Sequence, residues 1–287
     1  MLHNRYQIYR QEDTSFKLIQ SYSCWQEVVE FALRQPLNTK KKAYIVDTQA
    51  DCNCEDIFRI DDSGSLIATG HLARILYEQV KLSPLSTLTL EGAIEPLAIT
   101  DGVMVLKPLS EACREIQSLN EQVSITTDLA MKSSVLEAPF TRHQHSDNDV
   151  ALLVYCHDEL IATAYFSRYI EDHRFPFHLS ELCYELSLHT VYVAPDFRGM
   201  GIATCLANSI VNIARVDMTQ LHHLLLEVNI RLKPWFSALA LTPGGEAICD
   251  ILSEAFVEMN DDVIEELMDE GVTISYQDPI IFVEGIA

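Results

Sequence analysis

Over the first sixty positions apolar and polar residues alternate in short runs. Arg5 to Tyr9 and Phe16 to Ile19 read as strands, Cys24 to Arg34 as a helix, and Ala43 to Val46 as a further strand, with Pro36, Asn38 and Lys40 to Lys42 as punctuation. The pattern predicts a small α+β unit over residues 1–62. The turn signal Asp61-Asp62-Ser63-Gly64, a helical stretch from His71 to Val80, and Pro84 followed by Ser and Thr predict a connecting segment over residues 63–100. From Gly102 onward the order changes. Val103 to Lys107 reads as a strand, then a helix starts with Ser110 as its N-cap, and a second helix lies near Thr127 to Leu136. Val150 to Tyr155 and Leu160 to Phe166, joined by Cys156-His157-Asp158-Glu159, predict a hairpin. A strand Tyr184 to Val193, a helix Gly201 to Val216, a strand Leu224 to Val228, two acidic helices, and a last pair, Val272 to Tyr276 and Ile280 to Val283, follow.

With 287 residues and 48% hydrophobic content, the chain can fill a core without covalent staples. Its eight cysteines are scattered, and the first residues show no charged-then-apolar leader, which reads as reduced thiols in a cytoplasmic protein. No apolar run reaches membrane-spanning length, so no membrane partner is expected. The formal charge of −22 repels a phosphate backbone, which argues against nucleic acid and for a cationic partner or substrate. That charge is uneven: beyond Lys233 there is no Lys or Arg, and twelve Asp and Glu residues fall there. Glu246, Asp250, Glu254 and Glu258 share a helical stripe, with Ile248, Ile251, Ala255 and Phe256 available to face a core.

The stretch Val191 to Ala203, V-Y-V-A-P-D-F-R-G-M-G-I-A, changes the picture most. Pro195 ends a strand, and Arg198, Gly199 and Gly201 fall at the start of a helix. Glycines let backbone approach a ligand closely, and the exposed amides and dipole of a helix N-terminus favour an anion. Arg198 adds a cation able to make a charge-assisted bond to the same group. A pyrophosphate suits this arrangement.

The turn resembles motif A of the GNAT superfamily of N-acetyltransferases: Arg or Gln, two residues, Gly, one residue, then Gly or Ala. Arg198, Gly201 and Ala203 fill that pattern. The resemblance covers residues from about 101 to the end of the chain, taken as one domain of residues 101–287, and says nothing of the first hundred. It implies an α+β fold, a mixed sheet splayed between its fourth and fifth strands and flanked by helices, with the small N-terminal α+β unit added. It also implies acetyl-coenzyme A as cosubstrate; no metal is expected. Backbone groups at Val191 and Val193 would hold the pantetheine, and Arg198, Gly199, Met200, Gly201, Ile202 and Ala203 the pyrophosphate. The acetyl group would pass directly to a primary amine on a small molecule or a protein. A homodimer is left open.

Direct transfer needs a proton acceptor near the amine. Along Tyr184 to Val193, Leu186 and Leu188 point one way and Glu185, Ser187 and His189 the other. Ser187 stands where some relatives hold a glutamate base, so Glu185, and after it His189, are the candidates. Relatives also carry a tyrosine after the fifth strand that protonates the leaving thiolate. After Asn229, which resembles the family's asparagine, this chain has Trp235 and Phe236 with no hydroxyl. That departure supports an alternative, an acyl-coenzyme A binding regulatory or interaction module without turnover. Cys52-Asn53-Cys54 and His143-Gln144-His145 lack a second ligand pair at zinc spacing, His222-His223 reads as edge or core histidine, and Cys205 as a packed thiol.

Overall fold

The computed structural model describes residues 4–12, 15–34, 43–48, 58–60, 66–68, 74–88, 90, 102–126, 148–170, 181–227, 230–240, 242–272, 274 and 278–285. The helix expected near Thr127 to Leu136, Cys52, Cys54, His143, His145 and Asn229 lie outside them. Contacts gather into two compact units, one of Met1–Lys81, Ile170–Cys183 and Gln220–Leu232, the other of Leu82–Tyr169, Tyr184–Thr219 and Lys233–Ala287.

In the first unit, β1 (Tyr6–Glu12), β2 (Ser15–Tyr22), β3 (Ala43–Asp47), β4 (Phe58–Ile60) and β5 (Leu66–Ala68) form an antiparallel sheet in the order β2-β1-β3-β4-β5. Alternation places Tyr6, Ile8, Ala43 and Ile45 in a core with Trp25, Val28 and Ala32 of α1 (Trp25–Leu33). The Tyr6 and Trp25 rings lie 5.5 Å apart, and Arg5 grips Asp47 at 2.7 Å. The stretch expected to be helical from His71 forms a π-helical turn at Arg74–Gln79.

The second sheet has the order β11-β10-β9-β8-β7-β6, built from β6 (Gly102–Pro108), β7 (Asp149–Cys156), β8 (Glu159–Ile170), β9 (Glu181–Val193), β10 (Arg231–Leu239) and β11 (Ile280–Glu284). It is mixed: β6–β7 and β7–β8 pair antiparallel, β10–β11 parallel. Helix α2 (Leu109–Thr126) packs Leu109, Ala112 and Ile116 on Ala151, Leu153 and Tyr165 of one face. On the other face sit α3 (Ile202–Leu226), through Tyr184 and Arg168 to Asp217, and α4 (Pro243–Asp269), through the Phe236–Phe256 ring contact. The α+β class and the mixed sheet flanked by helices are as expected from the sequence.

Several boundaries differ. The described part of the strand expected at Leu224 to Val228 is not a strand, because α3 continues to Leu226. Met218, Leu221, His222 and Leu225 are all buried at helical spacing, so the apolar run belongs to a helix face. The strand lies instead at Arg231–Leu239, with Leu232, Pro234, Phe236 and Ala238 on its buried side. The two acidic helices are one, since buried positions run without a break from Ile248 to Leu267. Glu246, Asp250, Glu254 and Glu258 are exposed as expected and Ile248 and Phe256 buried, but Ile251 is exposed and Ala255 half-buried. Ser110 is inside the first turn of α2, which starts at the fully buried Leu109.

His222 is thus a helix residue. It is buried, and that burial, with His223 beside it, lowers its pKa to about 4. Between that value and 6.5 the unfolded chain holds a proton the folded chain refuses, so stability is full above pH 6.5 and declines as pH falls toward 4. The decline is on the order of 3 kcal/mol. Urea unfolding at pH 7 and pH 4.5 should show the wild type losing about 2–3 kcal/mol more than His222→Gln. Equal losses in the two proteins would contradict this account.

Candidate cofactor cleft and acceptor face

Strand β9 alternates along its whole length: Leu182, Tyr184, Leu186, Leu188, Thr190 and Tyr192 are buried, and the residues between are half-buried. The buried side meets α3 and carries the apolar core. Glu185, Ser187 and His189 therefore share the opposite side, as read from the sequence.

The pairing of β9 with β10 sets where the sheet opens. Arg231 bonds Glu181 at 2.9 Å near the start of both strands. Farther along, Ser237 Oγ donates to Glu185 Oε1 at 2.7 Å and lies 2.9 Å from Ser187 Oγ. The matching order makes the two strands parallel, as a crossover through α3 requires. β10 stops at Leu239, just past Ser237, whereas β9 runs on from Ser187 to Val193. The last residues of β9 outrun their neighbour, and a cleft of about 510 Å³ lies there.

Val191 and Val193 line this cleft, with Arg198, Gly199, Gly201, Ile202 and Ala203. Met200 is 41% exposed and does not line it. Gly199 and Gly201 have φ of +77° and +79°, conformations that favour glycine, and a Cβ built on either meets no atom within 4 Å. The first helical bond runs from Cys205 N–H to the Gly201 carbonyl at 3.0 Å, so the N–H groups of Ile202, Ala203 and Thr204 precede any helical acceptor. Arg198 Nε donates to the Val193 carbonyl at 3.0 Å, which fixes the guanidinium against the strand end. Open space above two glycines, three amides aimed out of a helix start, and a cation fit a pyrophosphate.

A second helix start lines the same cleft. Thr242, Gly244, Gly245 and Ile248 of α4 are part of it. Thr242 is the N-cap, with its hydroxyl accepting from Gly245 N–H at 3.0 Å, and Pro243 opens the helix. The reading from the sequence missed these residues, although Thr-Pro-Gly-Gly is a helix-start signal that could have found them. The two helix starts follow adjacent parallel strands, so both dipoles favour negative charge in one place.

Beyond the cleft, the face shared by Glu185, Ser187 and His189 is polar. Ser167 Oγ, fully buried, lies 2.6 Å from His189 Nε2 and donates to Asp149 Oδ1 at 2.5 Å. The Tyr165 ring stacks on the His189 ring, centroids 4.5 Å apart. Trp235 and Phe236, expected after the fifth strand, lie within β10 instead. The segment that does follow, residues 240–252, contains no tyrosine. Cys205 is buried, and that burial raises its thiol pKa, which agrees with a packing role. None of the six described cysteines forms a disulfide, and no group of His, Cys, Asp and Glu suited to a metal occurs among the described residues. Among the described residues no helix is long and apolar enough to cross a membrane.

Residues 117–234 match the model of the acetyltransferase (GNAT) family. Among curated proteins none matches the chain at a significant level. Similar solved structures include a ribosomal-protein-alanine N-acetyltransferase from Brucella melitensis biovar Abortus 2308, 14% identical, covering 63% of this chain and 98% of its own at a TM-score of 0.27. A predicted acetyltransferase with acetyl-CoA from Clostridium acetobutylicum is 14% identical, covering 61% and 92% at 0.30. An aminoglycoside acetyltransferase from an uncultured soil metagenomic sample is 11% identical, covering 63% and 99% at 0.31. The family match spans β7, β8, β9 and the two-glycine turn that opens α3, so this part of the chain is similar to the acetyltransferase (GNAT) family.

Proposed function

We propose that the protein is an N-acetyltransferase that moves the acetyl group of acetyl-coenzyme A directly to a primary amine. The observation that carries this reading is the cleft at the end of β9, where two helix starts converge beside a polar strand face. Gly199, Gly201, Ile202, Ala203 and Arg198 would hold the pyrophosphate, and Val191 and Val193 the pantetheine arm. When bound, the cofactor supplies a thioester whose carbonyl carbon is the electrophile.

The remaining work falls to side chains on the polar face. Glu185 and His189 are the groups able to accept the amine proton, directly or through a water, once the amine stands against β9. Carboxylates on this face, Glu185 and Asp149, together with a chain charge of −22, favour a cationic acceptor. A small polyamine-like or aminoglycoside-like compound and a protein amine both satisfy that description.

Colorimetric release of free coenzyme A thiol across a panel of such amines is expected to show turnover with at least one cationic member. The second reading, an acyl-coenzyme A binding module, is favoured by the missing tyrosine in residues 240–252. It predicts saturable binding of coenzyme A and no thiol release with any amine; release refutes it.

A further inference from the structure

The polar face contains a connected chain of three side chains that begins in the interior. Asp149 and Ser167 stand directly opposite each other on the antiparallel pair β7–β8, two pairs beyond Ala151 and Tyr165 and on the same face, where α2 packs. Ser167 is fully buried and Asp149 nearly so. From Ser167 the chain continues to His189 on β9, next to the open end of the sheet.

Proton counting fixes the direction of each bond. A serine hydroxyl has one proton to give and a carboxylate has none, so the 2.5 Å contact is Ser167 donating to Asp149 Oδ1. Ser167 can then meet His189 only as an acceptor. The proton on the imidazole is on Nε2, and the lone pair is on Nδ1. Stacking on Tyr165 at an interplanar angle of 29° holds the ring plane. We infer that Asp149 and Ser167 are positioning residues that hold His189 with Nδ1 as its basic nitrogen and stabilise the imidazolium formed when it takes the acceptor amine's proton.

The inference rests on the acetyl transfer proposed above and selects between its two candidate bases. His189 is two positions from Val191 at the cleft, about 7 Å along the strand, whereas Glu185 is six positions away, about 20 Å. Charged and titratable groups on the same face include Asp149 from β7, Tyr165 and Tyr169 from β8, Glu181, Cys183 and Glu185 from β9 itself, and Arg231 and Lys233 from β10; Tyr169 Oη is 3.5 Å from Asp149 Oδ1. In the step, the amine nitrogen bonds to the acetyl carbonyl carbon, and the carbon–sulfur bond breaks with its electron pair leaving on sulfur. The amine proton passes to His189 Nδ1, directly or through one water, and then to the departing thiolate, which restores the neutral ring.

Nitrogen-15 spectra of the imidazoles, with His189 assigned by His189→Gln, test the geometry without turnover. The wild type should show the Nε2-protonated tautomer at His189, Ser167→Ala and Asp149→Asn should lose that preference, and Ser167→Thr should restore it. In thiol-release assays Ser167→Ala should lower kcat by about 10- to 100-fold at unchanged KM for acetyl-coenzyme A. Ser167→Thr should keep most of the rate. A His189 tautomer unchanged in Ser167→Ala and Asp149→Asn overturns the relay whether or not cofactor binds. An unchanged kcat in those variants overturns it too. Calorimetry with coenzyme A on the wild type separates this from the wider reading, which fails if no binding is seen.

Discussion

Gly201→Trp is expected to remove coenzyme A binding and turnover together while leaving a folded protein. Gly201 lies on the cleft, and a Cβ built there has no neighbour within 4 Å, so the indole enters space that no protein atom uses. The backbone cost is separate. At φ +79° any side chain is strained, by about 1–2 kcal/mol. Gly201→Ala carries the same strain with little bulk, so the pair distinguishes a distorted turn from a filled cradle. Each charge-assisted bond from an amide or Arg198 to phosphate contributes about 1.5–3 kcal/mol, and displacing two of them weakens binding by at least about 100-fold. Calorimetry with coenzyme A, and its protection of the protein against thermal melting, are the measurements. Undiminished binding by Gly201→Trp would place the cofactor elsewhere.

That turn was legible in the sequence because its chemistry is local: two glycines, a cation, a strand end and a helix start lie within thirteen residues. The β7–β8 hairpin was legible for a similar reason. Its two-residue turn, His157 at φ 50° and Asp158 at φ 64°, closes strands whose apolar content is continuous, and burial on both faces leaves little ambiguity. The polar side of β9 followed from period two alone. Strand β10 was hidden by Pro234, which lacks the N–H of a central strand and demotes an otherwise regular alternation. Its true position moved the helix start that follows it, so Thr242, Gly244 and Gly245 were overlooked as cleft residues. The relay from Asp149 through Ser167 to His189 depends on the β7–β8 register and on strand order, neither of which a single sequence carries.

The same holds for the buried charges behind the sheet, which carry the largest stability effect expected of a single side chain away from the cleft. Asp217 of α3 is 1% exposed and accepts Arg168 Nη1 at 2.8 Å, Ser83 N–H at 2.8 Å and Tyr184 Oη at 3.2 Å. Arg168 is 2% exposed and also donates to the Ser83 carbonyl at 3.3 Å. One carboxylate thus ties α3 to β8, β9 and the segment before the 3₁₀ turn Leu85–Thr87. Burial, with Asp217 nearby, raises the Tyr184 pKa well above its ordinary value, so the phenol stays a donor. Asp217→Ala leaves a guanidinium in the interior with no counter-charge, and the expected cost is about 3–5 kcal/mol in urea unfolding. Removing both charges in Arg168→Met/Asp217→Leu should return most of that loss, because a well-packed apolar pair escapes the desolvation that the ion pair must offset. An Asp217→Ala protein within about 1 kcal/mol of wild type would mean that water reaches Arg168 and that the charge is not held dry.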